Sequence, residues 1–188
     1  MNTSLLLIDI QNDYFHGGRM ELHNPTLAAT NASKILKLFR EKKLQVIHVQ
    51  HISLRPDATF FLPETDGIKI HSQVEPLENE IIVQKNFPNS FKGTNLENIL
   101  IEHHISELTI CGMMTHMCID ATVRAAKDKG YKVNLIHDAC ATKELQFGKN
   151  KISANDVHHA FLAALNGIYA DIYSTEEYIN KFNNGVQL

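Results

Sequence analysis

Residues 107–130, ELTICGMMTHMCIDATVRAAKDKG, contain the change of pattern that decides the fold. The apolar run ELTICG has the length and composition of a buried strand. Residues 118–129 carry apolar side chains at helical spacing, and Gly130 follows as a residue that commonly ends a helix. We therefore predict a strand, a short connection over residues 113–117 and a helix that begins at Cys118. A strand that leads directly into a helix is typical of α/β proteins.

The same alternation runs through the chain. Strands are predicted at 4–10, 45–51, 81–85, 107–112, 131–137 and within 168–174, and helices at 27–42, 96–104, 118–129, 153–166 and from the capping box that begins at Ser174. Such alternation favours a parallel sheet with helices on both faces. We predict a three-layer α/β/α sandwich, with a mostly parallel central sheet of about six strands, as a single domain over residues 1–188.

Composition excludes several classes of partner. The 188 residues are 44% hydrophobic and 21% charged, and the formal net charge is −3. Without a basic cluster, neither nucleic acid nor an anionic membrane is expected to bind. The N-terminal apolar run lacks a cationic flank and is interrupted by Asp9, so no signal peptide or membrane span is predicted. Three cysteines indicate free thiols in a reducing, cytoplasmic location.

Three ionisable residues follow predicted strands at the edge where α/β proteins bind ligands. Asp9 and Lys85 come at the ends of the first and third strands, and Cys118 at the start of the helix after the fourth. The helix dipole and a nearby lysine are expected to lower the pKa of Cys118, and the first-turn amides to receive an oxyanion. The three residues thus form a candidate nucleophile (Cys118), base (Asp9) and orienter (Lys85).

The remaining thiols and histidines give weaker signals. Cys111 is predicted in the core, and Cys140 in a loop, DACATKE, close to the same edge. Of the eleven histidines, His48 and His51 face opposite sides of one strand, and the pairs at 103–104 and 158–159 are predicted on helix surfaces. No metal-binding or phosphate-binding spacing is present in the sequence, so neither a metal nor a cofactor is predicted.

The irregular segment 52–79 is long for a compact domain, which is typical of a functional loop or an interface. Candidate walls of a substrate pocket are Tyr14, His51, Phe60 and Phe61. Phe60, Phe61, Leu62 and Ile68 of this segment, with the apolar side chains of the helix at 153–166, are predicted to form an exposed apolar surface. Surfaces of this kind favour a homodimer or homotetramer.

Three stretches resemble the isochorismatase-like cysteine hydrolases, a family that includes nicotinamidases and related amidohydrolases. They are LLLIDIQNDY (5–14), IIVQKNFPNSFKGTNLE (81–97) and ICGMMTHMCIDATVRAA (110–126). The resemblance implies that Asp9, Lys85 and Cys118 are catalytic. It also implies a non-proline cis peptide between Met113 and Met114, and an oxyanion hole made by the amides of Met114 and Cys118. Homo-oligomers are common in the family.

Two departures narrow the activity that the resemblance implies. The metal-binding Asp-x-His pair of nicotinamidases is missing from HVQHISLRPD (48–57), which disfavours nicotinamide. Members that cleave the vinyl ether of isochorismate typically lack the cysteine, which disfavours that substrate. The expected activity is hydrolysis of a small amide, imide, carbamate or lactam through a Cys118 thioester. Two alternatives stay open, an ether hydrolase that uses Asp9 alone and a non-enzymatic thiol or redox protein.

Overall fold

The computed structural model describes residues 2–184 of the 188-residue chain, so residues 1 and 185–188 of the predicted domain lie outside the described part. The described residues form eight strands: β1 (Thr3–Ile8), β2 (Gln45–His51), β3 (Ile81–Lys85), β4 (Glu107–Met113), β5 (Lys132–Ala141), β6 (Leu145–Phe147), β7 (Asn150–Ile152) and β8 (Asp171–Tyr173). Six of them form one parallel sheet in the order β3-β2-β1-β4-β5-β8. The predicted parallel sheet of about six strands is confirmed.

Helices cover both faces of this sheet. They are α1 (Pro25–Glu41), α2 (Leu96–Glu102), α3 (Asp120–Asp128), α4 (Ala154–Leu165) and α5 (Thr175–Asn183). Helix α1 packs against α5, whereas α3 packs against α4 and lies beside α2, where Lys129 donates to Glu97 at 2.7 Å. The three-layer α/β/α sandwich is therefore confirmed. Among residues 2–184, no helix is long and apolar enough to cross a bilayer.

The apolar strands lie where the sheet is covered on both sides. All six residues of β1 are buried, as are the last six of β4, because strands in the middle of a parallel sheet have helices above and below. The edge strand β3 is less completely covered than β1 and β4, and its Ile82 is 47% exposed. The core thus centres on β1 and β4, the two strands between which the strand order reverses.

Gly112 explains why the quoted strand carries a glycine near its end. Its φ is +136°, and a Cβ atom there would lie 2.0 Å from the carbonyl oxygen of Ile8 on β1. The register between β4 and β5 also shifts between Ile110 and Gly112. Only glycine allows this close approach and this backbone conformation together, so Gly112 determines the direction of the chain that follows it.

Two predicted element boundaries and the placement of Cys140 around this region were wrong. The chain does not start an α-helix at Cys118; a π-helical turn over Thr115–Ile119 leads into α3. Strand β5 continues to Ala141, because Gly112 and Met113 of the neighbouring strand pair with Cys140 and Ala141. Cys140 is therefore a buried strand residue rather than a loop residue. The stretch after it forms the antiparallel hairpin β6–β7, which was not predicted.

The segment 52–79 packs inward more than its composition indicated. The Asp13 carboxylate accepts a hydrogen bond from the Phe61 amide at 2.6 Å, and Gly67 lies against the same carboxylate, where a Cβ would come within 2.2 Å. Phe61 is 1% exposed, and Phe60, Leu62 and Ile68 are only half-buried. The predicted exposed surface is thus wrong for this segment. Of the apolar residues predicted at the surface of α4, Ala160 and Ala163 are exposed, Phe161 is half-buried, and Leu162 and Leu165 are buried.

Candidate active site

Asp9, Lys85 and Cys118 meet at the carboxyl edge of the sheet, beside the point where the strand order reverses. The Lys85 ammonium donates to Asp9 Oδ2 at 2.7 Å and to Cys118 Sγ at 3.2 Å. An Asp9 carboxylate oxygen and the Cys118 sulfur lie within 4.8 Å of each other. This is the position at which open α/β sheets bind ligands. We call these three residues the triad.

Each triad residue is held by the end of a different element. Asp9 follows β1 with a left-handed φ of +54°, and its amide donates to the Val49 carbonyl at 2.9 Å. Lys85 is the last residue of β3, paired with His51 of β2. Cys118 lies on the π-helical turn, which is closed by hydrogen bonds from the amides of Met117 and Ile119 to the Met114 carbonyl at 3.0 and 3.3 Å. Left-handed non-glycine residues and π-helical turns are both enriched at functional sites.

The triad is almost sealed from solvent. Asp9, Lys85 and Cys118 are 0%, 1% and 4% exposed. Within the described part of the chain, Asp9 Oδ1 is buried and has no hydrogen-bond partner. A buried carboxylate oxygen without a partner is unusual, and it leaves Asp9 Oδ1 free to accept a hydrogen bond or a proton.

The ionisation of the triad follows from this burial. Burial and, next, the negative charge of Asp9 raise the pKa of the Cys118 thiol, and the Lys85 charge opposes them only in part. The expectation of a lowered thiol pKa is therefore wrong, because it ignored burial and Asp9. For Lys85, burial lowers the pKa, but the negative charge of Asp9 and the hydrogen bonds to Asp9 and Cys118 outweigh it and raise the pKa above its usual value. The resting site thus holds a lysine cation and a protonated thiol.

The peptide bond between Met113 and Met114 is cis, at the junction between β4 and the π-helical turn. Met114 is 5% exposed and caps the π-helical turn at its N-terminal end. The amides of Met114 and Cys118, which the resemblance assigns to an oxyanion hole, thus lie at the two ends of one turn.

The four predicted pocket residues come together beside the triad. Tyr14 lies 4.6 Å from Phe61 and 5.9 Å from Phe60 between ring centroids, and His51 lies 5.9 Å from Phe61. Tyr14 is 2% exposed, and burial, with the negative charges of Asp9 and Asp13 adding to it, raises its pKa. The aromatic rings therefore form an apolar wall next to the triad.

His51 contacts the triad directly, which its sequence position did not reveal. The Lys85 ammonium lies 3.1 Å from His51 Nδ1. Asp9, His51 and Cys118 offer metal-ligating atoms within 4.8 Å of one another. The Lys85 cation lies at hydrogen-bonding distance from all three residues, in the place that a metal ion would take. A metal ion bound by these three residues would have to displace the ammonium, so the cluster fits a lysine cation better than a metal.

Two further histidines form hydrogen bonds that connect the π-helical turn to neighbouring segments. His158 Nδ1 lies 2.9 Å from Thr115 Oγ1, and His116 Nδ1 lies 2.5 Å from Thr142 Oγ1. Burial lowers the pKa of His158 to about 4, with His159 and His137 adding to the effect. The prediction that His158 lies on a helix surface was wrong, because α4 packs its ring against the turn; the partner of this contact is 43 residues away in sequence.

Comparison with known proteins places this geometry in a family. Residues 3–177 match the isochorismatase domain. The isochorismatase family protein YddQ of Bacillus subtilis is 51% identical over 179 residues, which cover 95% of this chain and 99% of YddQ. A second protein of that family and organism, YrdC, is 34% identical, with 95% of each chain covered.

A solved structure from Oleispira antarctica, described as an isochorismatase hydrolase, has the same fold. It superposes with a TM-score of 0.92 at 46% identity, covering 95% of this chain and 96% of that one. The domain match alone spans most of the chain, including Asp9, Lys85 and Cys118. The chain therefore belongs to the isochorismatase family of hydrolases.

Proposed function

We propose that this hydrolase cleaves a C–N bond of a small amide, imide, carbamate or lactam through a thioester on Cys118. The observation that carries the proposal is the buried ammonium of Lys85 between Asp9 and Cys118, at 2.7 and 3.2 Å, with Asp9 Oδ1 left without a partner in the described residues. A thiol, a free carboxylate oxygen and a fixed cation are the groups that nucleophilic acyl transfer requires.

In the first half of the reaction, Sγ bonds to the substrate carbonyl carbon while the thiol proton passes to Asp9. The carbonyl electrons move onto oxygen, which the amides of Met114 and Cys118 would stabilise. As the oxyanion collapses, the C–N bond breaks and Asp9 returns the proton to the leaving nitrogen. The protonated resting state of Cys118 supports this role of Asp9, because the thiol has a proton to give.

In the second half, water attacks the thioester carbon and gives a proton to Asp9. Collapse of the second tetrahedral intermediate breaks the C–S bond, and the sulfur recovers the proton from Asp9. Lys85 stays charged throughout and orients the Asp9 carboxylate by its 2.7 Å hydrogen bond. The residues of this chain supply every proton transfer in the cycle.

More distant relatives support a C–N bond as the target. They include a nicotinamidase of Escherichia coli at 26% identity and an N-carbamoylsarcosine amidase of Arthrobacter at 33% over 64 residues. A streptothricin hydrolase of Streptomyces noursei is 31% identical over 76% of this chain and 55% of its own length. Their shared feature is hydrolysis, and two of the three names specify an amide bond.

The test is ammonia or amine release across a panel of small amides, imides, carbamates, ureides and lactams. Wild type should turn over at least one member, and Cys118→Ala should not. Isochorismate belongs in the same panel, since turnover that survives in Cys118→Ala would instead indicate ether hydrolysis by Asp9. Rapid thiol labelling without turnover of any member would favour a thiol or redox protein, although Cys118 is only 4% exposed.

We also propose that the protein is a cytoplasmic homodimer or homotetramer. Support for assembly comes from exposed apolar side chains other than those first predicted, namely Phe147 (82% exposed), Ile168 (69%) and Leu54 (66%). The three cysteines are free and buried, which fits a reducing compartment. Light scattering at micromolar concentration tests the assembly, and a monomer would contradict it.

A further inference from the structure

The Lys85 ammonium has three N–H groups, and the structure offers three acceptors for them. They are Asp9 Oδ2 at 2.7 Å, His51 Nδ1 at 3.1 Å and Cys118 Sγ at 3.2 Å. Lys85 is 1% exposed, so bulk water does not contact the ammonium in the resting site. A buried cation with an unsatisfied donor is strongly disfavoured, which makes the third acceptor as necessary as the other two.

The contact with Lys85 also defines the state of the His51 ring. An ammonium only donates hydrogen bonds, so Nδ1 must present its lone pair and the ring proton must lie on Nε2. Burial, followed by the Lys85 charge, lowers the pKa of His51 to about 4, against a raising effect of Asp9. The ring is therefore neutral at neutral pH and stays an acceptor for Lys85.

The backbone of His51 is clamped by a residue of the first strand's motif. Gln11 Nε2 donates to the His51 carbonyl at 2.9 Å, and Gln11 Oε1 accepts from the His51 amide at 2.8 Å. Gln11 is fully buried and donates a second time, to the Ile68 carbonyl at 2.8 Å. The ring itself lies 5.9 Å from that of Phe61. Main chain and ring are thus both fixed without a substrate.

We propose that His51 is a positioning residue of the active site, which holds the Lys85 ammonium against Asp9 and Cys118 through its Nδ1 atom, and that Gln11 holds His51 in place for this purpose. His51 acts on the thiol only through Lys85. Removal of Nδ1 leaves one N–H of the ammonium without an acceptor, so the cation is less stable beside the sulfur. The Cys118 thiolate is then stabilised less by the positive charge of Lys85, so it forms only at higher pH.

Two substitutions of His51 distinguish the effect of losing the Nδ1 acceptor from the effect of losing the aromatic ring. His51→Phe keeps an aromatic ring against Phe61 and loses the acceptor. His51→Asn loses the ring but keeps an acceptor, since Oδ1 of asparagine is the same number of bonds from Cα as Nδ1 of histidine. His71→Phe is the matched control, because His71 is also a half-buried histidine, stacked on Phe15 at 3.7 Å and outside the triad.

The measurement is the rate of Cys118 alkylation by iodoacetamide from pH 6 to 10, followed by peptide mass spectrometry, with thermal unfolding as the check on folding. His51→Phe should slow alkylation at pH 8 by about 10-fold or more and move the profile to higher pH. His51→Asn should restore most of the rate, and His71→Phe should leave it unchanged. A wild-type profile in His51→Phe, equal losses in the Asn and Phe variants, or the same loss in His71→Phe would each overturn the proposal.

This inference concerns the assembly of the site and goes beyond the proposed function. Alkylation needs no substrate, so it gives its answer even if no amide of the panel is hydrolysed. A panel without turnover would reject the proposed function alone, and a wild-type alkylation profile in His51→Phe would reject the role of His51 alone.

Discussion

The two histidines of β2 belong to two charged clusters, and the clusters differ in how their carboxylates are used. Toward the start of the strand, His48, Arg40 and Glu80 form what we call the anchoring cluster. Glu80 Oε1 accepts from Arg40 at 2.8 Å, and its Oε2 accepts from Arg40 at 2.7 Å, from His48 at 2.9 Å and from the Leu77 amide at 2.9 Å. Both oxygens of this carboxylate are occupied.

At the other end of the strand, His51 contacts the triad, whose carboxylate has a hydrogen-bond partner at only one of its two oxygens. Asp9 accepts at Oδ2 from Lys85, while its Oδ1 has no partner among residues 2–184. A filled carboxylate can only hold neighbouring groups in place, whereas a free carboxylate oxygen next to a thiol can take its proton. The difference between the two clusters thus lies in the carboxylate: the cluster whose carboxylate is fully bonded is structural, and the one that keeps a free carboxylate oxygen can do chemistry.

The largest expected effect follows from removing the two reacting groups of the triad. Cys118→Ala and Asp9→Asn should each reduce kcat by about 10⁴-fold or more, and the double variant should be no slower than Cys118→Ala. The losses do not add because the thiol and the carboxylate act in one step. Steady-state kinetics with circular dichroism as a fold check measures this. Near-normal turnover in Asp9→Asn would mean that another group is the base.

A smaller loss is expected when Lys85 keeps its charge and changes its shape. In Lys85→Arg the planar guanidinium cannot place one nitrogen within reach of Asp9, His51 and Cys118, so kcat should fall by about 10²-fold. The same kinetic assay measures it, with the melting temperature as a control for folding. Full activity in Lys85→Arg would show that a positive charge suffices and that the three-way contact is unnecessary.

The anchoring cluster should affect stability instead of turnover. Glu80→Gln removes the charge that Arg40 and His48 face, and we expect the free energy of unfolding to fall by about 2–3 kcal/mol with kcat unchanged. Denaturant unfolding and steady-state kinetics test the two halves separately. Glu41→Gln is the control, because its pair with Lys37 is 3.8 Å long and exposed, and its loss should change stability by less than about 0.5 kcal/mol.

The anchoring cluster also predicts a pH dependence of stability. Burial raises the pKa of Glu80, but hydrogen bonds from Arg40, the Leu77 amide and His48 outweigh it and lower the pKa from 4.5 to about 2. A carboxyl whose pKa is lower in the folded state stabilises the protein above its unfolded pKa and loses that contribution as the pH falls. Wild type should therefore lose stability between about pH 4.5 and 2 more steeply than Glu80→Gln, as measured by denaturant unfolding. Parallel pH curves would contradict this reading.

Much of the fold follows from local pattern. Apolar runs predicted β1 to β4, and the Ser174 capping box, in which the Ser174 side chain and Glu177 cap each other's amides, predicted the start of α5. The hairpin β6–β7 was missed because each strand has only three residues and no strong alternation. The end of β5 was missed because its pairing partner, the tail of β4, becomes available only in the folded sheet.

The triad residues were found because each follows a strand at the ligand-binding edge, a rule that depends on topology alone. His51 ends β2 and carried the same signal, but only its place in the pocket was predicted and not its contact with Lys85. The contact of His158 gave no signal, since its partner Thr115 lies 43 residues away. The direction in which the pKa of Cys118 is shifted could not be predicted from the sequence either. A helix terminus and a lysine are visible in sequence, whereas the burial that outweighs them is a property of packing.

The mechanism depends on acylation of Cys118 with transfer of its proton to Asp9. Its most direct test is intact-protein and peptide mass spectrometry of wild type during turnover of the best panel substrate, quenched in acid within the first turnovers. We predict a mass increase equal to the substrate's acyl group on the peptide that contains Cys118, removed by hydroxylamine and absent from Cys118→Ala. Substrate hydrolysis that proceeds in Cys118→Ala at the wild-type rate, with no adduct in either protein, would contradict the thioester mechanism.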